Sequence, residues 1–138
     1  MLAALNYNEN KVKMSKAICL HAEGFLLDTN ELSFTQKAKG FERLNERNER
    51  AKTKTLHISL NFDPSEKLSE TKLKNIAATY INEIGFEDQP YLVYQHHDAG
   101  HPHIHIITTA IREDGTRINT HNIGRNQSEK ARKKIEAE

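Results

Sequence analysis

The 138-residue sequence predicts an α+β fold, an antiparallel β-sheet with helices packed on one face of it. Three observations lead there. Residues 53–62 alternate, with Leu56, Ile58 and Leu60 separated by His57, Ser59 and Asn61, the period of a half-buried strand. Between Ser69 and Gly85 the apolar residues Leu73, Ile76, Ala77, Tyr80, Ile81 and Ile84 return every three or four positions and form one broad helical stripe. Residues 91–97 and 103–111 read as two strands joined by a turn too short for the crossover that parallel neighbours need. Strands so joined pair antiparallel, and the sheet buries its apolar side under helices.

Taken in order, residues 3–11 are compatible with a short helix, and residues 16–20 with an apolar strand that ends before a turn at Gly24. Ser33 is a suitable N-cap for a helix over residues 33–50, in which Phe34, Ala38, Phe41 and Leu44 share one side and the basic residues face outward. Asp63-Pro64 ends the alternating strand, Ser69 caps the striped helix, and Gly85 closes it in a left-handed conformation. Pro90 leads into the next strand, Asp114-Gly115 marks a turn, a short strand follows at residues 116–119, and a last helix starts at about Ser128. The length suits one domain.

Composition excludes several classes. No stretch approaches the roughly 20 apolar residues that cross a bilayer, and residues 1–11 lack the apolar run and cleavage site of a secretory signal. A cytoplasmic protein without a membrane partner is expected. Cys19, the single cysteine, has no intramolecular partner and suits a small buried position in the run Ala17 to Leu20. The formal net charge of +1 is uninformative, but residues 37–54 hold seven basic residues (Lys37, Lys39, Arg43, Arg47, Arg50, Lys52, Lys54) against three acidic ones. Such a stretch suits either a solvated helix face or a phosphate-binding surface.

The chemistry concentrates between His96 and His105. Side chains alternate along a strand, so His103 and His105 project from one face while Ile104 enters the opposite layer. Across the turn His96 can lie opposite them, and three imidazoles then converge on one ion. Three neutral imidazoles leave coordination positions open, as a Lewis acid that binds a substrate oxygen requires. Asp98 is spaced to accept a hydrogen bond from a ligating histidine. His21, His57, His97 and His121, taken singly, read as packing or surface residues.

The pattern H-x-D-x-x-H-x-H-x-H from His96 to His105 resembles the third motif of relaxases, the strand-nicking proteins of mobilisable plasmids and conjugative transposons within the HUH endonuclease group. The resemblance assigns metal binding to His96, His103 and His105 and a supporting role to Asp98, and ranks His101 below them. Residues 4–12, Ala-Leu-Asn-Tyr-Asn-Glu-Asn-Lys-Val, are similar to the first relaxase motif, which implies that Tyr7 is the nucleophile. Residues 56–61, Leu-His-Ile-Ser-Leu-Asn, resemble the second, a strand beside the site that contacts DNA, with His57 among the contacts. The run of motifs is most similar to mobilisation relaxases of Bacteroides-type elements. Two departures stand out. Thr109 occupies a position where many relatives carry asparagine, and the sequence starts six residues before Tyr7, where relatives have a first strand, so that strand and the downstream domains of a full relaxase are expected to be missing.

Such a protein nicks DNA by transesterification. The phenolic oxygen attacks a phosphodiester, a 5′-phosphotyrosine forms and the 3′-hydroxyl leaves; because a phenol ordinarily ionises at roughly pH 10, it needs a base or a nearby cation. The resemblance implies Mg or Mn as the ion, whereas imidazole donors by affinity favour Zn, Cu or Ni. It also implies single-stranded DNA at an origin of transfer as substrate, with accessory relaxosome proteins as partners; by their charge, Lys39, Arg43, Arg47 and Arg50 and a later basic cluster from Arg125 to Lys134 are the candidate contacts. Among the other tyrosines, Tyr80 lies on a core stripe, Tyr91 opens a strand, and Tyr94 shares a strand face with His96 and competes with Tyr7 on geometry. Two alternatives stand beside this reading. A replication initiator or transposase of the same group places its tyrosine after the histidines, and no tyrosine follows His105; a metal- and DNA-binding module without nicking activity would keep the histidines alone.

Overall fold

A computed structural model describes residues 2–26, 31–97, 103–120 and 132–138. The elements run α1 (Ala3–Lys13), β1 (Ala17–Glu23), α2 (Phe34–Asn45), β2 (Thr55–Asn61), α3 (Glu70–Glu83), β3 (Tyr91–His96), β4 (His103–Thr109) and β5 (Arg132–Ala137). The five strands form one antiparallel sheet in the order β1-β3-β4-β2-β5. Among the described residues no helix is long and apolar enough to cross a membrane.

Local chemistry explains the helix ends. Ser33 and Gln36 form a reciprocal capping box at the start of α2, and Ser69 accepts a hydrogen bond from the Lys72 amide at the start of α3. Past α3, Gly85 takes φ +83°, which lets its amide reach the Asn82 carbonyl and the Phe86 amide reach that of Ile81, the paired bonds of a Schellman motif. Helix α2 stops at Asn45 rather than near Arg50, because the Asn48 side-chain oxygen accepts from the amides of Arg50 and Ala51 and turns the chain.

Three expectations are corrected. Helices cover both faces of the sheet, not one: α3 packs with Leu56, Ile58, Leu60, Val93, Ile104 and Ile106, while α1 and α2 pack with Leu92, Tyr94 and Ile107 on the other side. The pleat makes this possible, since β3 and β4 carry apolar side chains in both directions. Residues 132–137 are a strand and not part of a last helix. They pair with the free edge of β2, from Leu56↔Ala137 to Asn61↔Arg132, where the ladder satisfies backbone groups that an open edge leaves unpaired. Residues 116–119 form no strand beyond a single bridge between Ile111 and Arg117. The expected helix start at Ser128 and the cluster from Arg125 to Lys130 lie outside the described residues.

Candidate metal and nucleophile site

Strand register builds the site. In the β3–β4 hairpin His96 pairs with His103 and Tyr94 with His105; on the other flank of β4, β2 places Asn61 opposite His103 and Ser59 opposite His105. All these residues share the sheet face that carries α1, because cross-strand partners point the same way. The ring centroids of His96 and His105 lie 3.9 Å apart, those of His96 and His103 5.1 Å, and those of His103 and His105 5.2 Å. One nitrogen from each of the three rings lies within 4.8 Å of the others. Two imidazoles on one ion at about 2.1 Å stand no more than roughly 4.2 Å apart, so a small closure of the cluster would suffice. Three buried imidazoles with converging nitrogens therefore fit a divalent ion.

The rings are held from behind. Nδ1 of His105 lies 2.7 Å from Nε2 of His57 and 3.2 Å from Oγ of Ser59, both on β2. Nε2 of His96 lies 2.6 Å from Oδ1 of Asn8 on α1. Contacts of this kind fix ring orientation and tautomer, which is what a ligating histidine requires of its surroundings. Asp98, expected to supply such a contact, and His101 and His121 lie outside the described residues.

Helix α1 lies across this face. Its buried positions Leu5 and Asn8, with Val12 beyond, follow the helical repeat, and Leu2, Ala4 and Leu5 enter the apolar layer formed with Leu92, Tyr94 and Ile107. The carboxylate of Glu138 accepts a hydrogen bond from the Ala4 amide in its first turn. With that face down, Tyr7 comes to stand over the imidazoles: its ring is 6.0 Å from His96, at 23° to it, 6.3 Å from His105 and 6.4 Å from His57. It is 48% exposed and so accessible to a large substrate. The Lys11 ammonium, one turn along, is 5.6 Å from the centre of the Tyr7 ring.

Tyr94, the competitor, is fully buried beneath α1. Its hydroxyl donates to Oε2 of Glu9 at 2.5 Å, and Nζ of Lys37 donates to the same oxygen at 2.9 Å. Burial first, then the neighbouring Cys19 and the hydrogen bond to Glu9, push the Tyr94 phenol far above the usual tyrosine range. Such a phenol is a poor nucleophile. Lys37, which the sequence placed on an outward basic face, is instead almost fully buried. Cys19 is a partly buried residue packed against the layer under α1 and α2, and burial raises its thiol above the ordinary value.

Of the expected DNA contacts, Arg43 and Arg47 are held at Glu113. Lys39 and Arg50 are exposed on α2 and the loop after it. Arg43 donates twice to the Glu113 carboxylate, at 3.0 and 2.8 Å, and Arg47 donates to the Glu113 carbonyl at 3.1 Å. Glu113 lies beyond the Thr109 end of β4, roughly 20 Å along the strand from His103. Thr109 also belongs to that end, where its hydroxyl donates to Asn45 at 2.5 Å, so its difference from the relatives' asparagine falls away from the metal site.

Sequence reasoning missed Asn8, Ser59 and the pairing of His57 with His105. A signal for Asn8 was present: it is a polar residue in an apolar seat of the α1 repeat. Ser59 carried none, since alternation only put it on the polar side of its strand.

One family model, described as relaxase, MobA/VirD2-like, nuclease domain, matches residues 7–138. No curated protein and no solved structure matches the chain.

Proposed function

The chain belongs to the MobA/VirD2-like relaxase nuclease-domain family, and from that premise we propose that it nicks one strand of DNA by transesterification, with Tyr7 as nucleophile. The observation that carries this reading is the position of the Tyr7 ring 6.0 Å from His96 and 6.3 Å from His105, residues 89 and 98 positions away in sequence. A tyrosine that is accessible and stands over converging imidazoles has the reach a nucleophile needs, whereas Tyr94 is buried and bound to Glu9.

In the reaction the Tyr7 oxygen attacks the phosphorus of a phosphodiester, the bond from phosphorus to the 3′-oxygen breaks, and the tyrosine proton leaves while the 3′-oxygen takes one up. His96, His103 and His105 would hold a divalent ion, Mg or Mn by the family's chemistry with Zn or Ni as options. When bound it stabilises negative charge on the phosphate. His57 and Ser59 keep the His105 ring turned toward the centre, and Lys11 brings positive charge beside the phenol. Lys39, Arg43, Arg47, Arg50 and His57 remain candidates for DNA contact, and Asp98 for support of a ligand ring. The substrate we assign is single-stranded DNA at an origin of transfer, within a cytoplasmic complex that includes accessory proteins. The likeness to Bacteroides-type mobilisation relaxases rests on the motifs alone.

The test is incubation with single-stranded oligonucleotides and Mn, followed by a denaturing gel and mass spectrometry. A protein–DNA adduct on Tyr7 that is lost in Tyr7→Phe and in His103→Ala is the expected result. Metal binding without any adduct would overturn the nicking mechanism in favour of a binding module.

A further inference from the structure

Asn8 lies between Tyr7 and Glu9 in sequence, and its side chain is wholly buried. Both ends of its carboxamide are engaged. Nδ2 donates to the Ala4 carbonyl at 2.9 Å, one turn back in α1, which leaves Oδ1 directed at Nε2 of His96, 2.6 Å away. With the amide hydrogens turned to a carbonyl, the oxygen is the end available to the imidazole. Leu5, one turn earlier on the same face of the helix, enters the apolar layer with Leu92, Tyr94 and Ile107.

We propose that Asn8 is a positioning residue of the metal centre, which holds the His96 ring from helix α1 and so makes ion binding and the seating of the tyrosine helix a single event. The inference rests on the histidine triad being the metal site. Its reasoning is mechanical. The contact runs from the His96 ring to a side chain that shares a peptide bond with Tyr7, and α1 is also fastened by Glu9 to Lys37 and Tyr94. An ion that fixes the His96 ring therefore restrains Asn8, and with it the turn of helix from which Tyr7 projects. In reverse, a displaced α1 releases the ring. Outer contacts of this type typically alter metal affinity 10- to 100-fold when removed.

The experiment is calorimetric titration of the whole chain with Mn and with Zn, comparing wild type with Asn8→Leu, Asn8→Asp and His103→Ala, alongside hydrogen exchange of the α1 amides. Asn8→Leu is expected to bind either ion at least tenfold more weakly while its circular dichroism and melting temperature hold. Asn8→Asp, which keeps an acceptor oxygen, should restore affinity to within about threefold, a rescue that a purely structural role would not give. Metal should slow exchange in α1 of the wild type and leave Asn8→Leu unchanged. If Asn8→Leu overfills the seat, Asn8→Ala, well tolerated in a helix, makes the same comparison. Wild-type affinity in the folded variants would overturn the proposal and leave the relaxase reading intact. A wild-type protein that binds neither ion would instead remove the metal site, and this inference with it.

Discussion

Nε2 of His57 lies 2.7 Å from Nδ1 of His105 on the adjoining strand, with the two rings 28° from parallel. Together with the Ser59 hydroxyl 3.2 Å from the same nitrogen, this contact fixes the orientation of the His105 ring from β2. His57→Ala should weaken metal binding by about tenfold or more, and His57→Gln, which retains a polar partner, by less. Titration calorimetry with Mn measures both; equal affinities for wild type and His57→Ala would show that Ser59 suffices.

Tyr7 and Tyr94 should separate cleanly. Tyr7→Phe removes the adduct with single-stranded DNA and, being exposed, changes stability by less than about 0.5 kcal/mol. Tyr94→Phe removes a hydroxyl that donates to a carboxylate in the interior, at a cost of about 1–3 kcal/mol, and should leave the yield of adduct unchanged. Urea unfolding and the adduct gel together read the two effects. An adduct that persists in Tyr7→Phe and vanishes in Tyr94→Phe would reverse the assignment.

The ion pair between Lys37 and Glu9 has side chains only 5% and 14% exposed. Removing one partner strands the other charge in the interior, so Glu9→Leu or Lys37→Met alone should cost about 3 kcal/mol or more. The double replacement should recover much of that loss, because two apolar side chains suit the layer between α1 and α2. Denaturant midpoints of the four proteins close the cycle, and additive losses would mean that the two residues do not act as a pair.

Alkali should loosen the fold. Burial, and then the nearby Glu83 charge, push the Tyr80 phenol up to about 12 from 10.0. Above pH 10 the unfolded chain sheds a proton that the folded chain keeps, so the native state binds more protons and stability falls as pH rises, by at most about 1.4 kcal/mol per unit between 10 and 12. Denaturant melts at pH 9 and 11 should show the drop, reduced in Tyr80→Phe. An identical slope in that variant would place the loss on other groups.

What could be foreseen depended on how local the signal was. Ser69 and Gly85 bracket α3 through bonds that span only a few residues, and they were legible. The hairpin of histidines was legible for the same reason: alternation put His103 and His105 on one face, and a short turn brought His96 opposite. Lys37 and Asn8 were not, because their partners, Glu9 and His96, lie 28 and 88 residues away and no periodicity announces them. Residues 132–137 carry no strong local signal, and pairing with the edge of β2 makes them a strand. Tyr7 came from motif likeness; its place above the rings is purely tertiary.

The seat of α1 is composed of residues that follow it at long range, Leu92 and Tyr94 on β3 and Ile107 on β4. A ribosome adds about 5–20 residues each second, so the helix waits roughly 5–20 s for the strands it lies upon. An isolated helix of 11 residues is marginal in water over such a time. The three histidines lie on those same two strands and meet when their hairpin closes. The imidazole cluster and the resting place of the tyrosine helix are thus completed together, by one hairpin. Tyr7 can stand over the rings only once β3 and β4 have paired.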